Sequence, residues 1–120
     1  TKKRQPPVKL PPQILGHLRR WAKPDPVTGR EREYFVEWNG KPIESVKTGL
    51  ARAVEQTELP GRVTAHTLRH TAATWLMQNG VSTWDAAGFL GMSEKMLRDV
   101  YGHHHPDFQS SAARGFRPKK

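Results

Sequence analysis

With 120 residues and 35% hydrophobic content, the chain can form one small domain with a modest core and no more. Twenty Lys+Arg against eleven Asp+Glu leave a net charge of +9, which favours a polyanionic partner: nucleic acid first, an acidic membrane surface second. With no cysteine, disulfides and thiolate metal sites are excluded. With no long apolar run and no export signal in the sequence, a membrane span is not expected, and a protein acting in the cytoplasm is.

Taken in order, Thr1 to Pro11 is basic and proline-rich, which permits at best the end of a hairpin with an edge strand. The start on Thr1 predicts a segment that begins inside a larger protein. Pro12 suits the first turn of a helix over Gln13 to Ala22, with Ile14, Leu18, Trp21 and Ala22 on its inner face. Pro24 stops it, and Pro24 to Arg30 reads as a loop. Glu33 to Trp38 is aromatic and β-branched, hence a short strand closed by the turn pair Asn39-Gly40. Ser45 is the expected cap of a helix from Val46 to about Gln56 that turns Val46, Leu50, Ala53 and Val54 inward.

The stretch from His66 to Tyr101 carries the chemistry. Thr67 is the expected cap of a helix running to Asn79, with Leu68, Ala72, Ala73, Trp75 and Leu76 inward and Gly80 just past its end. His66 and Arg69 lie three apart at its start, so both can project beside the unpaired backbone N–H groups there. Such a place suits a phosphate, which a guanidinium grips with two nitrogens while an imidazole donates or accepts a proton. The plainer reading of the pair is a solvated basic face. Ser82 with Asp85 opens a second helix that ends at Gly91, and Ser93-Glu94 opens a third through Val100. The last two also read as a helix-turn-helix.

The run His66-Thr67-Leu68-Arg69-His70, then Ala73-Thr74-Trp75-Leu76 ending at Gly80, then Leu90-Gly91, and then Tyr101 nine residues after Met92, closely resembles the C-terminal catalytic part of the tyrosine recombinases, the phage-integrase family. The resemblance implies a mainly helical α+β domain spanning 1–120, with a basic hairpin end over 1–11, a helical core over 12–107 and a basic tail over 108–120. It also implies recombination of DNA by cleavage and rejoining through a 3′-phosphotyrosyl link. Tyr101 would attack, Arg69 would clamp the non-bridging oxygens, and His66 would hydrogen-bond the phosphate or shuttle the proton. The family's general acid is a Lys on a hairpin, about eight residues before a Pro; counting back from Pro11 gives Lys3, with Lys2 as the neighbour that can serve instead. His70 either orients the site from behind or is simply a packed histidine.

Two departures bear on activity. Met92 stands where the family has His or Trp, and a thioether is no useful donor to a phosphate. Either His103 or His105 supplies that bond, or Met92 is a packing position. The family's other Arg, upstream of the hairpin, has no counterpart, so the isolated segment is expected to cleave weakly. No cofactor is implied, and His103-His104-His105 is not expected to hold a metal, since adjacent loop histidines seldom reach one ion. Arg19, Arg20, Arg62 and Arg98 are the foremost candidates for contacts to the DNA backbone. In relatives the working unit is a tetramer on two DNA sites, with a C-terminal segment docking on a neighbour; Phe108 to Lys120 would be that segment. Against this reading stand a non-catalytic helix-turn-helix module over Thr83 to Tyr101 and, explaining less, a protein-interaction domain.

Overall fold

In the computed structural model, residues 7–116 are described, and they are mainly helical with one small antiparallel pair of strands. Helix α1 spans Pro12–Trp21, β1 Glu37–Trp38, β2 Lys41–Pro42 and α2 Lys47–Glu55. Helices α3 (Ala65–Gln78), α4 (Thr83–Leu90), α5 (Glu94–Tyr101) and α6 (Ser110–Gly115) follow, with a 3-10 turn at Gly102–His104 after α5. Lys9–Pro60 forms one compact unit, and the chain from Gly61 onward belongs to a second.

In the first unit, Pro12 sits at the start of α1 as expected, where its missing N–H costs no hydrogen bond. The loop beyond it is built on Asp25, whose Oδ1 accepts the backbone N–H groups of Thr28 at 2.8 Å and Val27 at 2.9 Å. These donors, Thr28 before Val27, hold the half-buried carboxyl below its ordinary pKa. The expected strand over Glu33 to Trp38 shortens to its last two residues, which pair Glu37 with Pro42 and Trp38 with Lys41. A strand extends only as far as its partner, and Pro42 brings no N–H to the ladder. Asn39 (φ 49°) and Gly40 (φ 76°) both take left-handed backbone, the geometry a two-residue hairpin turn demands. A side chain at Gly40 would also strike the Arg30 guanidinium, which pairs with Glu37.

Val46, not Ser45, occupies the cap position of α2; the Ser45 hydroxyl accepts the Lys47 N–H at 3.4 Å from one residue further out. Neither α1 nor α2 has a fully buried residue. Leu15, Leu18, Leu50 and Val54 are half-buried, whereas Ile14, Trp21, Val46 and Ala53, expected to face inward, are exposed. About fifty residues cannot close a water-free interior around two short helices.

In the second unit, α3, α4 and α5 enclose the core: Ala73, Met77, Ala86, Ala87, Leu97 and Tyr101, edged by Leu76, Val81, Leu90 and Met92. Three alanines let the helix backbones approach closely, and the fully buried Met77 and Leu97 fill the space between them. The buried stripe of α3 passes through Ala73 and Met77, one turn apart. Trp75 lies two residues from each, about 200° round the helix, and is 63% exposed; Leu68, in the first turn, is 52% exposed. Both residues, expected inside, are therefore on the surface.

The two connections between these helices share one design. After α3, Val81 N–H reaches the Leu76 carbonyl at 3.0 Å and Gly80 N–H the Met77 carbonyl at 2.9 Å, with Gly80 left-handed at φ 69°. After α4, Met92 N–H reaches the Ala87 carbonyl at 3.1 Å and Gly91 N–H the Gly88 carbonyl at 3.3 Å, with Gly91 at φ 63°. Both are Schellman closures, which satisfy the last carbonyls and turn the chain at once toward the next helix. Ser82 and Ser93 then cap α4 and α5, accepting the N–H groups of Asp85 at 3.2 Å and Met96 at 3.1 Å.

Candidate active site

The expected first residue of the site helix is displaced: α3 begins at Ala65, and its cap is Thr64 rather than Thr67. Thr64 Oγ1 accepts the Thr67 N–H at 3.4 Å, and Thr67 Oγ1 accepts the Thr64 N–H at 3.1 Å. This reciprocal box, legible as two threonines three apart, fixes the first turn and puts His66 inside it. His66, Arg69 and His70 thus project from the first two turns of one capped helix.

Tyr101 ends α5 and closes the core, with 7% of its surface exposed. Its phenol oxygen is hydrogen-bonded to Nδ1 of His70, the rings 5.6 Å apart. His70 Nε2 in turn lies 2.8 Å from Nε2 of His66, and those two rings meet edge to face at 4.3 Å. The separation of four residues on α3 stacks the two imidazoles on successive turns. The outcome is an unbroken chain of hydrogen bonds from the tyrosine through His70 to His66. Each neutral imidazole carries one N–H, so the chain holds one proton per link in a single direction.

Arg69 points elsewhere on this surface. Its guanidinium donates to the carbonyl of Gly91 at 3.0 Å, satisfying an acceptor at the end of α4. Met92 follows directly and is packed against the core, its amide committed to the Schellman closure. His103 lies in the 3-10 turn with its ring 4.0 Å from that of His104, and His105 Nδ1 accepts the Asp107 N–H at 3.1 Å. Lys3 and Lys2 lie outside the described residues.

Of the basic residues singled out for the DNA backbone, Arg62 is exposed in the loop before α3. Arg98 donates to Glu94 at 3.1 Å, and Glu94 also accepts the Thr83 hydroxyl at 2.5 Å, which ties the start of α5 to the start of α4. In the other unit, Arg19 and Arg20 are exposed on the last turn of α1, with Arg20 hydrogen-bonded to His17 at 2.7 Å. Sequence reasoning missed the direct bond of His70 to Tyr101 and the Gly91 carbonyl that Arg69 finds. No local pattern signals either, since the partners are 31 and 22 residues apart.

A helical α+β segment whose capped histidine–arginine helix packs against a terminal tyrosine defines the class. Residues 1–107 match the phage integrase family, and the chain belongs to it.

Its relatives are tyrosine recombinases. The chain is 33% identical over 88 residues to tyrosine recombinase XerC of Halalkalibacterium halodurans, covering 62% of this chain and 29% of that protein. To tyrosine recombinase XerD of Corynebacterium glutamicum it is 29% identical over 100 residues, 82% of this chain and 33% of that protein. To XerC of Chlamydia caviae it is 31% identical over 72 residues, 58% of this chain and 23% of that protein. The chain thus spans a third or less of the length of these relatives. No solved structure matches it significantly.

Proposed function

We propose that the chain is the C-terminal part of the catalytic region of a site-specific DNA recombinase that cuts and rejoins strands through a 3′-phosphotyrosyl link. Tyr101 is the nucleophile. Arg69 leaves the Gly91 carbonyl to clamp the non-bridging oxygens of the scissile phosphate, and His66 hydrogen-bonds that phosphate or passes a proton. Lys3, or Lys2 beside it, protonates the leaving 5′-oxygen. His70 supports the tyrosine, Met92 packs the turn behind Arg69, and His103 or His105 supplies the donor that Met92 cannot be.

The single observation that carries this reading is the hydrogen-bond chain joining Tyr101 to the helix of His66, Arg69 and His70. A phenol has an ordinary pKa of about 10. Its attack on phosphorus at neutral pH requires groups that receive its proton and stabilise the charge, and α3 presents both kinds. The net charge of +9 suits duplex DNA, with Arg19, Arg20, Arg62 and Arg98 as backbone contacts. Four copies on two DNA sites in the cytoplasm, joined in part through the segment from Phe108 onward, form the proposed working assembly.

The test is a nicked suicide DNA substrate incubated with the full-length protein that carries this segment. A covalent protein–DNA adduct on a denaturing gel, absent in Tyr101→Phe, is expected. Tight, salt-sensitive binding with no adduct from the parent protein would instead establish the non-catalytic helix-turn-helix module over Thr83 to Tyr101.

A further inference from the structure

We propose that His70, rather than His66, is the base that takes the proton from Tyr101, with His66 serving to hold His70 in the tautomer able to accept it. The inference rests on the recombinase reading above and goes beyond it by assigning the proton's first destination. Three observations carry it. His70 Nδ1 is bonded directly to the phenol oxygen. His66 meets His70 only on the far side of the ring, Nε2 to Nε2 at 2.8 Å, so it reaches the tyrosine through His70. Tyr101 is 7% exposed, which leaves bulk water little access as the acceptor.

Two proton arrangements satisfy this chain. In one, the phenol donates to His70 Nδ1, His70 Nε2–H donates to His66 Nε2, and His66 keeps its proton on Nδ1. In the other, every link is reversed, His70 Nδ1–H donates to the phenol, and no base faces the tyrosine's proton. Only the first is productive, and an acceptor on His66 Nε2 selects it. As the Tyr101 oxygen forms its bond to phosphorus, its proton moves to His70 Nδ1. The P–O5′ bond breaks with its electron pair going to the 5′-oxygen, which takes a proton from the general acid assigned to Lys3. His70 is left as an imidazolium that can pass its Nε2 proton to His66. In rejoining, the steps run backward and His70 returns the proton to the phenolate.

The experiment uses the full-length protein and single-turnover adduct formation on the suicide substrate. His70→Asn keeps an acceptor near the position of Nδ1 but cannot take a proton. It is expected to slow adduct formation by about 10²- to 10⁴-fold with DNA affinity unchanged. Replacing Tyr101 by a fluorinated tyrosine of lower phenol pKa is expected to restore most of the lost rate in His70→Asn and to accelerate the parent little. A parent-like rate in His70→Asn, or a slow rate that the fluorinated tyrosine leaves slow, overturns the proposal while leaving the recombinase reading intact. A second measurement needs no variant: nitrogen NMR of the labelled parent is expected to show His70 protonated on Nε2 and bare on Nδ1, and the opposite tautomer overturns the proposal as well. Absence of any adduct from the parent is a different failure, that of the recombinase reading, and takes this inference with it.

Discussion

Arg69 carries the sharpest expectation for a single side chain. Its bond to the Gly91 carbonyl is on the surface, where a hydrogen bond to a charged donor contributes modestly to stability. A clamp on a phosphorane-like transition state contributes far more to the rate, because the negative charge added to the phosphate oxygens there exists only at the moment of reaction. Arg69→Ala in the full-length protein should therefore slow adduct formation by about 10²- to 10³-fold while lowering stability by no more than about 1 kcal/mol. Arg69→Lys should recover little of the rate, since an ammonium lacks the planar fork. Single-turnover cleavage beside urea unfolding checks the pair, and an equal loss in both would make Arg69 a structural residue. His66 and Arg69 were legible because their spacing is local. The partners of Arg69 and His70 were not, because helix packing rather than sequence distance decides which carbonyl or phenol comes within reach.

For the helices, the caps set how firmly the site is held. Ser93 opens the eight-residue helix that ends in Tyr101, and so short a helix depends on its first-turn donors being satisfied. Ser93→Ala should cost about 1 kcal/mol and Ser93→Gly a few tenths, both read from urea denaturation. Leu97, on the same helix and fully buried, should cost about 2–5 kcal/mol as Ala, so packing outweighs capping here. Element boundaries were largely readable: Pro12, Gly80, Ser82, Gly91 and Ser93 all stand at the ends their chemistry predicts. The misreadings in α3 have two separate causes. Trp75 and Leu68 are apolar, but the angle of each about the α3 axis is fixed by the Ala73–Met77 stripe, which only the neighbouring helices reveal. Thr67 reads as a cap because it is half of a capping pair whose other half, Thr64, opens the helix.

At the level of the whole chain, the excess of nine positive charges should make the proposed binding to DNA steeply dependent on salt. Each phosphate contact adds about −0.9 to the slope of log affinity against log salt. Arg62 is exposed with no ion-pair partner among the described residues, whereas Arg98 is already paired with Glu94. Arg62→Ala should make the slope shallower by about one contact, and Arg98→Ala should change it less. Fluorescence titrations of a labelled duplex at several salt concentrations distinguish the two, and the reverse order would mean that Glu94 releases Arg98 on binding.

The paired Schellman closures bear on the bookkeeping of the chain itself. Because each connection is already as short as its hydrogen bonds allow, there is no slack in which an extra residue could hide. One residue added within α5 would rotate the tyrosine by about 100° and carry its oxygen off the imidazole. The interval from arginine to tyrosine therefore behaves as a ruler cut to length.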